Sequence, residues 1–99
     1  MVKVFARHSE APRNAVIVAH ELLHTLGADD RYDPVSLQPR WPDGYAEPER
    51  QPRWPQTLAE IMGGRIPMDA TQAEIPDGLH AARIGTATAA QIGLMAERP

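Results

Sequence analysis

The sequence predicts an α+β fold, mainly helical and with much irregular chain: a central helix, a short strand before it and a second helix near the end. Three observations carry that expectation. From Ala15 to Leu26 the only polar side chains are His20, Glu21, His24 and Thr25; at about 100° per residue they fall within a wedge of roughly 140° on a helix. Ten prolines and seven glycines in 99 residues interrupt the rest of the chain repeatedly. Hydrophobic residues make up 42% but aromatics only 5%, which allows one small core and one domain over residues 1–99.

Taken in order, residues 2–6 are rich in strand-forming types (Val2, Val4, Phe5). One strand is not a sheet, so its partner must come from elsewhere in the chain, from an upstream domain, or from a second subunit in a homo-oligomer. Ser9 suits an N-cap and Pro12 a first helical turn, which sets the main helix at 11–26. The apolar faces around its polar wedge predict a buried helix. Gly27 suits a left-handed C-terminal cap.

Residues 31–56 contain six prolines and a short duplication, Gln38-Pro39-Arg40-Trp41-Pro42 and Gln51-Pro52-Arg53-Trp54-Pro55. Two short copies are too few for a solenoid. Extended coil anchored to the core by Trp41 and Trp54 is the first expectation; a wall of a substrate cleft or a docking surface is the second. Thr57 and Glu60 have capping-box spacing and predict a short helical turn running into Ile61-Met62 and broken by Gly63-Gly64. Residues 65–80 read as turns. Thr88 and Gln91 repeat the capping-box spacing, opening a last helix over 87–97 whose buried face is Ile92, Met95 and Ala96.

The chemistry concentrates in residues 20–30. His20 and His24 stand one turn apart on a helix and point the same way, so both imidazoles can grip one metal ion. Glu21 lies about 100° around the helix from His20, where it flanks the metal and serves as general base. An unpaired buried polar group costs about 1–3 kcal/mol, so these three side chains on an apolar helix need a partner, and a metal with its water satisfies all of them. The turn at Gly27 lets Asp30 return as a third ligand, leaving one position open. Asp33, Glu47 and His80 are rivals for that third place. Asp29, Asp30 and Asp33 lack the spacing and glycine of a calcium loop. The absence of cysteine excludes thiolate zinc sites and disulfides.

His20-Glu21-x-x-His24-x-x-Gly27-x-x-Asp30 resembles the extended zinc-binding motif of the metzincin metalloproteases, in the version whose third ligand is aspartate. The resemblance implies a small metzincin-like catalytic core and a methionine in a tight turn beneath the metal. Glu60-Ile61-Met62-Gly63-Gly64 is similar to that turn, which makes Met62 the candidate. It also implies a helix after that turn, which agrees with the order of parts. Metzincins carry several strands before the motif helix, whereas only residues 1–13 precede it in this sequence. Some members have a tyrosine two residues after the turn methionine, where this sequence has Gly64. Tyr45 is the alternative candidate for stabilising a transition state.

The formal charge of −3 gives no electrostatic case for nucleic acid or an anionic membrane. No apolar run is long enough to span a bilayer, and none at the N-terminus reads as a signal peptide, so the cytoplasm is the default compartment. The expected function is a Zn2+-dependent metallopeptidase acting on peptide or protein substrates. Two alternatives share the metal chemistry: a non-catalytic metal- and partner-binding module derived from a metzincin, and a zinc hydrolase of non-peptide amides or esters.

Overall fold

The helix that carries the motif, α1 (Ala11–Thr25), runs over 15 residues. A computed structural model of the chain describes residues 11–93. The expected strand at 2–6, the Ser9 cap and the homo-oligomer contact through that strand lie outside the described residues, as do Met95 and Ala96. Pro12 sits in the first turn of α1, where its missing N–H would have had no intrahelical acceptor. Gly27 ends the helix at φ +106°. The Ala28 N–H donates to the Leu23 carbonyl at 3.0 Å and the Gly27 N–H to His24 at 3.1 Å. That pair of bonds is a Schellman cap, and it satisfies carbonyls the helix would otherwise leave open.

Among the described residues, four short strands and a second helix follow. β1 (Ala59–Glu60) pairs in parallel with β4 (Ala82–Arg83), and β2 (Ile66–Pro67) pairs antiparallel with β3 (Ala73–Glu74). A 3-10 turn at Leu79–Ala81 leads into β4, and α2 (Thr86–Gln91) follows it. The described residues are therefore α+β, with more irregular chain than helix. The expected run of turns over 65–80 contains the β2–β3 hairpin. Its turn is tied by Asp69, whose Oδ1 accepts from the Thr71 and Gln72 N–H groups, both at 2.8 Å.

The core is small. Val16 and Leu23 of α1, seven residues apart, meet Ala28, Ile61 and Met62, with Ala19, Ala82 and Ile92 packed against them. One narrow face of α1 suffices for this, so the expected all-round burial is not observed. Ile17, Val18, Leu22 and Leu26 are each more than half exposed. The two tryptophans differ: Trp54 is half-buried and donates to the hydroxyl of the buried Tyr45, while Trp41 departs from expectation by staying at the surface of the 31–56 segment. The Arg53 guanidinium lies 4.0 Å from the Trp41 ring centroid and 5.4 Å from that of Trp54. Trp41 remains 49% exposed. The buried Gln56 side chain closes the segment, donating to the Glu47 and Arg53 carbonyls and accepting from the Glu47 N–H.

Both capping boxes fail in the structure, each for an identifiable reason. Thr57 donates its hydroxyl and its N–H to Glu47, not to Glu60. Residues 59–60 are strand, and Glu60 is fully buried. Its Oε1 accepts from the Met62 and Gly63 N–H groups at 2.7 and 2.9 Å, and its Oε2 from Gly85 at 2.9 Å. One carboxylate thus ties the turn after β1 to the start of α2, in place of a helix N-terminus. The backbone of that turn touches the 31–56 segment at Gly44, where a Cβ on Gly63 would collide with the Gly44 carbonyl. Thr88 is an interior residue of α2, because the helix opens two residues earlier behind Gly85, and its fully buried hydroxyl accepts from Arg31.

Glu60→Ala leaves three backbone N–H groups without their acceptor, and at about 1–3 kcal/mol for each buried unpaired donor the loss of stability is about 3 kcal/mol or more. Urea unfolding measures it. A loss below about 1 kcal/mol would mean that Glu60 does not hold the turn.

Candidate metal centre

α1 presents His20 and His24 on its half-buried side, their ring centroids 4.8 Å apart and their planes at 81°. Each ring is fixed by the backbone. The His20 Nδ1 lies 2.9 Å from the Ile61 carbonyl, and the His24 Nδ1 lies 2.8 Å from the Ala28 carbonyl. A carbonyl oxygen can only accept, so both Nδ1 atoms carry a hydrogen and the neutral ring keeps its lone pair on Nε2. The two Nε2 atoms converge on one oxygen: Asp30 Oδ1 lies 3.0 Å from His20 and 2.9 Å from His24. The Gly27 cap brings Asp30 there by reversing the chain after α1.

Three acceptors now face one point. Asp30 and two neutral imidazoles cannot hydrogen-bond one another, so the cluster needs protons on the rings or a cation between them. Protonating both rings places two positive charges side by side against a single carboxylate. One dication replaces both protons, and two imidazole nitrogens with a carboxylate oxygen are a normal donor set for zinc. These three ligand atoms lie within 4.8 Å of one another, and among the described residues they are the group of such side chains able to hold a metal ion. The donor set therefore fits Zn2+. The rivals are occupied elsewhere: Asp33 Oδ1 accepts from the Val35 and Ser36 N–H groups, and Glu47 binds Thr57. His80 belongs to the 3-10 turn.

Glu21 stands outside the ligand cluster, exposed on the next face of α1. It borders an open cleft of about 560 Å3 that it shares with His20 and Tyr32, walled by Ile17, Leu37 and Ile75, with Arg65 at its edge. Met62 has no exposed surface and sits in the core behind the histidine-bearing helix. It belongs to a tight turn in which the Gly64 N–H reaches back to the Glu60 carbonyl at 2.9 Å, with Gly64 at φ +82°.

Tyr45 is placed away from this cleft. It is buried against β1, and its hydroxyl accepts from the Trp54 Nε1 at 2.8 Å. Tyr32 is the tyrosine beside the imidazoles, its ring centroid 6.5 Å from that of His20. Burial, then the charge and hydrogen bonding of Asp30, then the charge of Glu21 push its hydroxyl above the ordinary tyrosine range, while Arg65 pulls the other way. It therefore keeps its proton at neutral pH. Sequence reasoning passed over Tyr32, although its place two residues after Asp30 was the available signal.

Protein-family models, curated proteins and solved structures were compared with this chain, and nothing matches it. No helix among the described residues is long and apolar enough to cross a membrane.

The hydrogen bond to Ala28 raises the pKa of His24 above 6.5; desolvation opposes it, and the charge and hydrogen bond of Asp30 and the charge of Glu21 add to it. A folded-state pKa above the unfolded value means that protonated His24 favours the fold. In metal-free protein that stabilisation is fully present below about pH 6.5 and is lost as the pH rises through the higher folded value. A metal competes with the same proton, so its affinity rises over the same window. Thermal unfolding in chelator should therefore show falling stability from weakly acid to weakly alkaline pH. Zinc at about 100 times its Kd should restore about 2.7 kcal/mol at the alkaline end. A melting temperature that zinc does not move at alkaline pH would contradict the ligand assignment.

Proposed function

We propose that the protein is a zinc-dependent metallopeptidase of metzincin type, with His20, His24 and Asp30 as ligands and Glu21 as general base. The observation that carries this reading is the convergence of two imidazole Nε2 atoms and one Asp30 oxygen, each imidazole locked from behind by a carbonyl, beside a carboxylate on an open cleft. Zinc in that position supplies Lewis acidity, which polarises a carbonyl and acidifies water.

The chain's own residues do the rest. Glu21 accepts the proton of the attacking water and returns it to the leaving amine. The Tyr32 hydroxyl, protonated at neutral pH, is a hydrogen-bond donor for charge developing on the carbonyl oxygen. Ile17, Leu37 and Ile75 offer an apolar wall to a substrate side chain, and Arg65 forms no ion pair among the described residues. Met62 backs the site as a rigid apolar support, and the Ile61 carbonyl in the same turn orients His20. The same arrangement accommodates hydrolysis of non-peptide amides or esters.

A second reading is supported by the meagre sheet. Among the described residues each named strand is two residues long, a short edge for an extended peptide to pair with. A metal-binding module without turnover would look similar at the three ligands, but it would have no use for Glu21.

Digestion of a mixed peptide library separates these readings. The zinc-loaded protein should cleave peptides, a chelator should stop it, and Glu21→Gln should lower the rate by at least about 100-fold while zinc content stays at the wild-type level. Wild-type protein that binds zinc and leaves every peptide intact would favour the non-catalytic module. Glu21→Gln that remains active would remove Glu21 from the mechanism.

A further inference from the structure

Asp30 is the ligand that α1 does not carry; its carboxylate meets the two histidines and the Tyr32 hydroxyl, and its backbone is held through its neighbours. The Asp29 N–H donates to Gln91 Oε1 at 2.9 Å, and Gln91 Nε2 donates to Asp29 Oδ2 at 2.7 Å. On the other side of Asp30, Arg31 Nη2 donates to the same Gln91 Oε1 at 2.7 Å, and Arg31 Nε donates to Thr88 Oγ1 at 3.0 Å. The Arg31 backbone N–H donates to the Met62 carbonyl at 2.8 Å. One amide at the end of α2 thus grips both residues that flank the ligand, from 61 positions downstream in the sequence.

The geometry points to Gln91 as a positioning residue for the metal centre, acting through Asp29 and Arg31 to hold Asp30 opposite the two imidazoles. This rests on the reading of His20, His24 and Asp30 as metal ligands. A flexible loop can present the same carboxylate, but each metal-binding event then has to order the loop as well. Groups that fix ligand orientation from behind typically change metal affinity by about 10–100-fold when removed. Gln91 suits the task because its amide offers a donor and an acceptor at once. The donor meets the Asp29 carboxylate and the acceptor takes two N–H groups, a combination that neither a glutamate nor a lysine at this position would supply.

The test measures zinc affinity by competition with a chromophoric chelator and reads the visible spectrum of the Co2+-loaded protein. It compares wild type, Gln91→Ala, Ala90→Gly and the pair Asp29→Asn/Gln91→Glu. Gln91→Ala is expected to weaken zinc binding by about tenfold or more and to alter the Co2+ bands. Ala90→Gly loosens α2 through its backbone while leaving the clamp amide in place, and is expected to keep wild-type affinity. The exchanged pair reverses donor and acceptor across the Asp29–Gln91 contact, so it is expected to recover most of the affinity lost in Gln91→Ala.

Wild-type affinity in Gln91→Ala overturns the inference. Equal losses in Gln91→Ala and Ala90→Gly also overturn it, since any loosening of α2 would then do the same. A wild-type protein that binds neither zinc nor Co2+ refutes the metal reading itself, and is distinguishable from the other outcomes because it requires no variant.

Discussion

Two backbone carbonyls decide what this site can be. The oxygens of Ile61 and Ala28 each take the Nδ1 hydrogen of a histidine. With those hydrogens committed, both Nε2 lone pairs turn to the same side, where they meet Asp30. Rings free to turn about their side-chain bonds would offer a metal many poor geometries; rings pinned from behind offer one. The remainder of the described structure can be understood as what places those two carbonyls.

Ala28 is placed by the Schellman cap, because the bond that ends α1 also sets where the next carbonyl points. Ile61 is placed by a turn whose N–H groups are gathered by the buried Glu60 carboxylate, and Glu60 in turn reaches Gly85 at the head of α2. α2 returns at its far end through Gln91 and Thr88 to the residues around Asp30. The small apolar cluster of Val16, Leu23, Ala28, Ile61 and Met62 lies behind these connections and includes both carbonyl-bearing residues. So few buried side chains make a modest core, and ligand binding to the folded state would add to its stability.

What the sequence made legible is local. The ends of α1 followed from Pro12, the apolar run and Gly27, since caps and periodicity act within one or two turns. The grouping of His20, His24 and Asp30 followed from helical spacing and one chain reversal. The tight turn around Met62 was expected from the family resemblance, whereas the local pattern alone read a short helical turn where residues 59–60 are strand. Elements decided by distant partners were not. Glu60 and Thr57 have capping-box spacing, but the N–H groups of Met62, Gly63 and Gly85 compete for the carboxylate and take it. Thr88 looked like a cap, yet Arg31 draws its hydroxyl into the interior. Tyr45 and Tyr32 are indistinguishable as isolated residues; only the fold puts one against Trp54 and the other against His20. The exposed apolar faces of α1 show the same limit, because periodicity reports what a helix could bury and not which of its faces meets a neighbour.

A metal held by His20, His24 and Asp30 has a signature that diffraction recorded on both sides of the zinc absorption edge can reveal. In crystals grown with zinc, one anomalous peak is expected within bonding distance of His20 Nε2, His24 Nε2 and an Asp30 oxygen, with no fourth protein ligand and Glu21 alongside. Density at that position without an anomalous signal, or a peak bound by other side chains, would contradict it.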